Sequence, residues 1–482
     1  MLFSSPLFLF VLLPILLGLY ALARPSYRNL VLLAASLLFY VWGEGAYVLV
    51  MLAIIAVNYG LGRRVHMLEG RSRAKITVAF AVVVNLGLLI AFKYSNFLVD
   101  QLNLVLNIFH VANVKLAPVH LPLGISFFTF HALSYVIDIY RRKSEGGKPL
   151  DFALYMTLFP HSIAGPIVRY GDIAGQIAHR VVTMAGFAEG VRRFIMGLAK
   201  KMLVANTVAV TADAIFALPG SQLNFSLAWL GVVCYTLQIY FDFSGYSDMA
   251  IGLAKLFGID FLENFNYPYA ARSITEFWRR WHISLSTWFR DYLYIPLGGN
   301  RCSPVRNYAN LVTVFFLCGL WHGASWTFAA WGLFHGAFLV LERMKPGRMI
   351  DSLWSPVRHL YTLLVVSVGW VLFRADTVPQ ATAFLKAMAG LGTGLGLEYH
   401  VGLYIDSQLV LALVAGAVGS APLLPLLGRG KAAVVAQAPG ILRGALGAGF
   451  ALVDVAGHSL LLLASAMLLA AGTHNPFIYF RF

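Results

Sequence analysis

Two histidines stand out because almost nothing polar surrounds them. His322 and His335 fall in FLCGLWHGASWTFAAWGLFHGAF, a pair of apolar segments that read as a helical hairpin. A neutral imidazole kept from water in such a setting carries an available lone pair, the form that accepts a proton in general-base catalysis. Gly323 and Gly336 each follow a histidine and suit close approach of a ligand or, equally, of another helix. His131, His161 and His458 also sit in or at apolar runs, where an ionisable side chain is a functional candidate by default. His66, His110, His120, His179 and His400 lie in predicted loops and read as solvated.

The segment IDFLENFNYPYAARSITEFWRRWHISLSTWFRDYLYIPLGGNRCSPVRNY, residues 259–308, is polar, aromatic and amphipathic. Wound at about 100° per residue, it gathers Trp278, Trp281, His282, Leu285, Trp288 and Phe289 on one face. Glu276, Arg279, Arg280, Thr287, Arg290 and Asp291 take the other. A helix of that kind lies in an interface or floors a cavity. Non-helical backbone such as YIPLGGNR is tolerated at membrane depth only where protein or water satisfies it, which implies a funnel open to the cytoplasm.

Other chemistries lack their parts. Asp242 and Asp248 interrupt a span, but six residues place them about 120° apart around a helix, which disfavours a carboxylate dyad and leaves a pair of satisfied structural acids. There is no Walker A lysine, no GxSxG and no HExxH. Cys234, Cys302 and Cys318 form no disulfide framework or zinc spacing and read as packing residues, and no metal site is expected.

The elements that must position these residues are membrane helices. Of 482 residues, 59% are hydrophobic and 12% charged, against a soluble norm of roughly 25% charged. With a mean hydropathy of +0.74, the chain has too little polar surface to face water, which excludes soluble enzymes and disordered proteins. Apolar runs place spans at about 6–23, 30–42, 46–61, 76–98, 121–140, 194–218, 227–258, 307–321, 324–341, 359–375, 407–425 and 445–471, about twelve crossings. The first run has no basic n-region and reads as a membrane helix, not a cleaved signal. The stretch Asp151 to Tyr170, broken by Pro160, Gly165 and Pro166, reads as dipping in and returning. No internal or inverted repeat is present, which disfavours the common transporter architectures.

The net charge of +15 is largely topology. Loops 24–29, 62–75 and 141–149 carry Arg24, Arg28, Arg63, Arg64, Arg71, Arg73, Lys75, Arg141, Arg142, Lys143 and Lys148, whereas the opposite segments carry Lys115 alone. The positive-inside rule therefore puts the N-terminus outside, with Lys93 snorkelling at the outer end of its span. The basic residues from Arg279 to Arg306 remain as the candidate for an anionic ligand.

Six ordered motifs carry a resemblance: LPLGISFFTFHALSYVIDIYRR, LFPHSIAGPIVRY, QIYFDFSGYSDMAIGLAKLFGI, ITEFWRRWHISLSTWFRDYLYIPLGGNR, GLWHGASWTFAAWGLFHG and the terminal NPFIYF. Together they resemble the membrane-bound O-acyltransferase family, along the whole of residues 1–482. Within it the chain is similar to bacterial members that modify exported polysaccharides or teichoic acid. The resemblance implies an all-α polytopic fold, with re-entrant and interfacial helices around a central tunnel that takes an acyl thioester from the cytosol. It implies one membrane domain: N-terminal helices in 1–150, the tunnel and catalytic core in 151–345, and C-terminal helices in 346–482.

By that resemblance the active-site histidine is His322, and its partner is His282 in the FWxxWH motif, where eukaryotic members carry asparagine. The expected activity is O-acetylation of an exported, alginate-like polysaccharide from cytosolic acetyl-CoA, with no bound cofactor. His322 is the expected base, and His282 is expected to orient the thioester or donate to its oxyanion. Arg279, Arg280, Arg290 and Arg301 are placed for coenzyme A phosphates or, alternatively, form a solvated or lipid-facing basic surface. Trp281, Trp321 and His335 are further candidates for substrate contact. A periplasmic partner of serine-hydrolase-like type, a bacterial inner-membrane location and no nucleic acid complete the expectation. The competing class is a transporter or scaffold subunit without acyl-transfer chemistry, which the many spans and intramembrane histidines would also suit.

Overall fold

A computed structural model describes residues 3–472, so the terminal NPFIYF lies outside the described residues. Among those residues every regular element is a helix. Six helices are long and apolar enough to cross a membrane: Pro25–Met67, Ser72–Lys93, Met184–Phe216, Phe225–Leu256, Ser355–Arg374 and Gly440–Ala470. A pair bent by 66°, Ser407–Ser420 with Pro425–Gln437, makes up to seven. Three differences separate this count from the twelve spans expected, the first being that the helices at the expected 307–321 and 324–341, Pro304–His322 and Trp326–Arg343, are not among those counted. Phe8–Leu22 and Ile125–Tyr140 are shorter apolar helices, the latter about 24 Å long against a hydrocarbon core of about 30 Å. The two spans expected between 30 and 61 run on as Pro25–Met67, interrupted by the 3₁₀ turn Gly45–Tyr47, where Gly45 takes φ +56°. Leu, Val and Phe side chains on these helices stay exposed, among them Leu52, Phe80, Val83, Leu452 and Leu463, as lipid-facing surfaces require.

The chain divides into two compact units, one of residues 1–190, 250–262 and 321–325, the other of 191–249, 263–320 and 326 onwards. In the first, the Ile125–Tyr140 helix is the centre, with 14 buried residues, and packs on Val48–Met67 and Ser72–Lys93. Gly62 permits the approach, since a Cβ there would stand 2.6 Å from Tyr135 Cε1. Asn58 and Asn85 join those two neighbours by a reciprocal pair of buried amide hydrogen bonds, 3.0 and 2.8 Å long. Residues 149–170 form two short helices, Pro149–Thr157 and Phe159–Ser162, and then irregular backbone; neither helix is long enough to cross.

In the second unit, Gly197 and Gly245 let two long helices cross closely, and a Cβ on Gly245 would meet the Gly197 carbonyl oxygen at 2.7 Å. A π-helical turn, Lys200–Ala205, then aims two successive lysines at two carboxylates. Lys201 pairs with Asp242 at 2.6 Å, fully buried, while Lys200 and Arg193 reach Asp248 at 2.6 and 2.8 Å. Both aspartates are thus satisfied by cations, in keeping with the structural role expected of them. Cys234 and Cys318 are buried free thiols, and Cys302 donates to the Gly299 carbonyl at 3.2 Å.

Candidate active site

The single amphipathic helix expected around FWRRWH is two helices, Ile274–Arg280 and Ile283–Phe289. Between them His282 takes a left-handed backbone conformation, φ +42° and ψ +57°, which only a few non-glycine residues tolerate. The break explains itself through hydrogen bonds. Asn266 N–H donates to the Arg280 carbonyl and Ile283 N–H to the Asn264 carbonyl, each at 2.9 Å, so the preceding loop satisfies backbone groups that a continuous helix would have paired internally. The apolar face survives: Trp278, Trp281, His282, Leu285, Trp288 and Phe289 are all buried.

The first helix is capped from two sides. Ser273 Oγ accepts from Glu276 N–H at 3.0 Å. The Glu342 carboxylate accepts from the N–H groups of Ile274 and Thr275, at 2.6 and 2.8 Å, and from the Thr275 hydroxyl at 2.7 Å. Glu342 lies two turns beyond His335 on the Trp326–Arg343 helix, so the same contact seats Trp278 against the His335 ring at 5.0 Å, edge to face. Trp331 closes on His335 at 5.1 Å, and a Cβ on Gly369 would meet its Nε2 at 2.6 Å. His335 is therefore a fully buried ring among indoles.

His282 is held by a polar network. Its Nδ1 lies 3.1 Å from Asn264 Oδ1, which also accepts from the Ser284 hydroxyl at 2.9 Å and the Ser284 N–H at 3.2 Å. Asn264 Nδ2 donates to Ser247 Oγ at 3.0 Å, which fixes the amide's orientation. An oxygen that accepts from a backbone N–H is an acceptor toward the imidazole too, so Nδ1 carries the proton and Nε2 the lone pair. Burial pushes the His282 pKa down to about 3, so the ring is neutral at physiological pH. Phe243 packs edge-on against it at 4.6 Å.

In the other unit, His322 ends the Pro304–His322 helix and is buried, with Trp321 beside it stacked on Phe130 at 5.3 Å and 15°. Lys93, expected to snorkel, instead donates to the carbonyls of Trp321 and His322 at 2.6 and 3.0 Å. The reason is the helix end itself, whose last carbonyls lack intrahelical partners and carry the negative end of the dipole.

The arginines are less uniform than their spacing implied. Arg280 is bound to Glu276 at 2.8 Å and to the Asn266 carbonyl at 3.2 Å, and Arg290 is bound to Asp291 at 2.7 Å. Arg279 and Arg301 are exposed. The roles of Lys93, Asn264 and Glu342 escaped the sequence reading. A lone lysine inside an apolar span and a lone glutamate closing an apolar helix were the signals for two of them; Asn264 gave none.

A match to the MBOAT, membrane-bound O-acyltransferase family, covers residues 78–350. A probable alginate O-acetylase, AlgI, of Azotobacter vinelandii is 43% identical over all of both chains, and that of Pseudomonas aeruginosa is 41% identical, again over all of both. The chain belongs to the membrane-bound O-acyltransferase family. A peptidoglycan O-acetyltransferase of Helicobacter pylori is 36% identical over 81% of this chain and 80% of its own length. The acyltransferase is thus a multi-pass membrane enzyme, and the transporter and scaffold classes give way to it.

Proposed function

We propose that the acyltransferase moves acetyl from cytosolic acetyl-CoA across the membrane for O-acetylation of an exported, alginate-like polysaccharide, with His322 as catalytic base. The observation that carries this is the full-length similarity to proteins named as alginate O-acetylases, joined to a buried histidine at a helix end held by Lys93. His322 takes the proton from the accepting hydroxyl, whose oxygen attacks the thioester carbonyl. The C–S bond breaks, and the imidazolium returns its proton to the departing thiolate. The negative helix terminus favours the transient imidazolium.

His282 is proposed to act on the donor. With Nδ1–H committed to Asn264, its Nε2 accepts a hydrogen bond from a substrate N–H or O–H. Donation to the oxyanion would need the opposite tautomer, which Asn264 opposes. Trp281, Trp321 and His335 are each proposed as substrate contacts. For the phosphates of coenzyme A, Arg279 and Arg301 are the better candidates, because Glu276 and Asp291 already neutralise Arg280 and Arg290. About twelve crossings, a tunnel, an outside N-terminus in a bacterial inner membrane, and a periplasmic serine-hydrolase-like partner for the final transfer belong to the same reading.

The test uses full-length protein in detergent with radiolabelled acetyl-CoA. His322→Ala that still inserts should lose CoA release and polymer acetylation; undiminished acetylation would remove His322 from the chemistry. Thioester cleavage lost in His282→Ala with insertion intact supports the donor role.

A further inference from the structure

The catalytic reading leaves two histidines unused. His131, on the Ile125–Tyr140 helix, and His161, on the short Phe159–Ser162 helix, are both fully buried in the same unit. Their rings meet edge to face, with centroids 4.7 Å apart and planes at 71°. Tyr155 lies 5.5 Å from one ring and 5.9 Å from the other, and Phe261 closes on His161 at 5.3 Å. All four ring nitrogens are buried and have no hydrogen-bond partner of good geometry among the described residues, although the Tyr155 backbone acts on the His161 ring. Ser162 Oγ, next in sequence to His161, is likewise buried with no hydrogen-bond partner among the described residues. The Tyr155 hydroxyl donates to backbone carbonyls, that of Val168 at 3.0 Å and that of His131 at 3.4 Å.

Buried polar atoms without partners are costly, on the order of 1–3 kcal/mol each, and four on two touching rings call for a guest. The chemistry of the rings selects it. In its neutral form each imidazole offers one donor and one acceptor, so the pair presents two of each. A cation would leave both N–H groups unmatched, and an anion would leave both lone pairs unmatched. No third His, Cys, Asp or Glu joins them as a metal ligand among the described residues. The structure forms no direct N–H···N bond between the rings. A hydroxyl both donates and accepts, and so suits one lone pair and one N–H together.

We propose that His131 and His161 form a binding site for a single hydroxyl group, either of a water molecule or of the saccharide acceptor. Phe130, the residue before His131, stacks on Trp321 beside His322. Occupancy of the site does not depend on which residue is the base.

Electron cryomicroscopy of the full chain in detergent, at a resolution that shows ordered solvent, reads the pair directly. The protein alone should show one oxygen within hydrogen-bond distance of a nitrogen on each ring. With a soluble acidic oligosaccharide added, density continuous with a sugar identifies the acceptor as the guest, and an unchanged lone oxygen identifies water; either supports the site. Rings in direct contact with no oxygen between them would overturn it. So would an oxygen that persists in a folded His131→Phe, His161→Phe variant, since other groups would then hold it. His131→Gln, which keeps a donor and an acceptor, should retain the density.

Discussion

The Nζ of Lys93 lies 3.0 Å from the carbonyl oxygen of His322, and 2.6 Å from that of Trp321 before it. A lysine from one helix therefore holds the helix end from which the proposed base projects, and its Nζ also lies 6.0 Å from the centroid of the Trp321 ring. Its effect on His322 is two-sided. It fixes the backbone that aims the imidazole, while a protonated amine there opposes the imidazolium that forms during transfer. Positional error dominates such balances, since a displacement of about 1 Å can cost roughly 10²-fold in rate. Lys93→Met should lower kcat for acetyl transfer by about 10-fold or more and leave KM for acetyl-CoA unchanged, with Lys93→Arg recovering part of the loss. A wild-type kcat in Lys93→Met would show that the contact does not position the base.

His282 gives a prediction about acid. Its folded pKa of about 3 lies below the ordinary histidine value near 6.5, so on acidification the unfolded chain takes up the proton first. This residue's contribution to stability is therefore complete above about pH 6.5 and declines as pH falls toward 3, at up to about 1.4 kcal/mol per pH unit. His282→Asn, which cannot titrate, should lose less thermal stability than the parent between pH 7 and 5 in detergent. Parallel curves for the two proteins would mean that His282 is not buried as a neutral ring.

The Glu342 clamp is measurable as stability. Its carboxylate serves two backbone N–H groups and one hydroxyl at the start of the Ile274–Arg280 helix. Charge-assisted bonds contribute about 1.5–3 kcal/mol, and orphaned buried donors add to the loss. Glu342→Ala should lower the unfolding midpoint clearly, and Glu342→Gln, which keeps one acceptor oxygen, should fall in between. An unchanged midpoint for Glu342→Ala would show that the cap is replaced by solvent.

Much of this was legible in the sequence because lipid imposes a plain pattern. Apolar runs located most helices to within a few residues, and the run around FWRRWH identified which side chains are buried. What periodicity concealed was the backbone break at His282. Trp278, Trp281, His282, Leu285, Trp288 and Phe289 keep the expected buried face, yet the helix ends and restarts because Asn264 and Asn266, far back in the loop, satisfy its backbone. Lys93 was misjudged for a related reason: snorkelling assumes that a span faces lipid at its end, and here the nearest acceptors are the carbonyls of another helix. Long-range partners of this kind leave no local signal.

The buried pair Lys201 and Asp242 supports a last prediction, one that separates structural charge from catalytic charge. The two groups are almost completely shielded, 2.6 Å apart, beside the crossing set by Gly197 and Gly245. Desolvating both ions offsets much of their attraction, so the pair as a whole adds little, whereas removing one partner strands a buried charge at a cost of about 3–5 kcal/mol. Lys201→Met alone should sharply reduce the amount of folded protein recovered from membranes. Lys201→Met combined with Asp242→Leu should recover most of it, with acetyl transfer per folded molecule close to that of the parent. If the double variant folds yet loses transfer, the pair takes part in the reaction and the structural assignment of Asp242 fails.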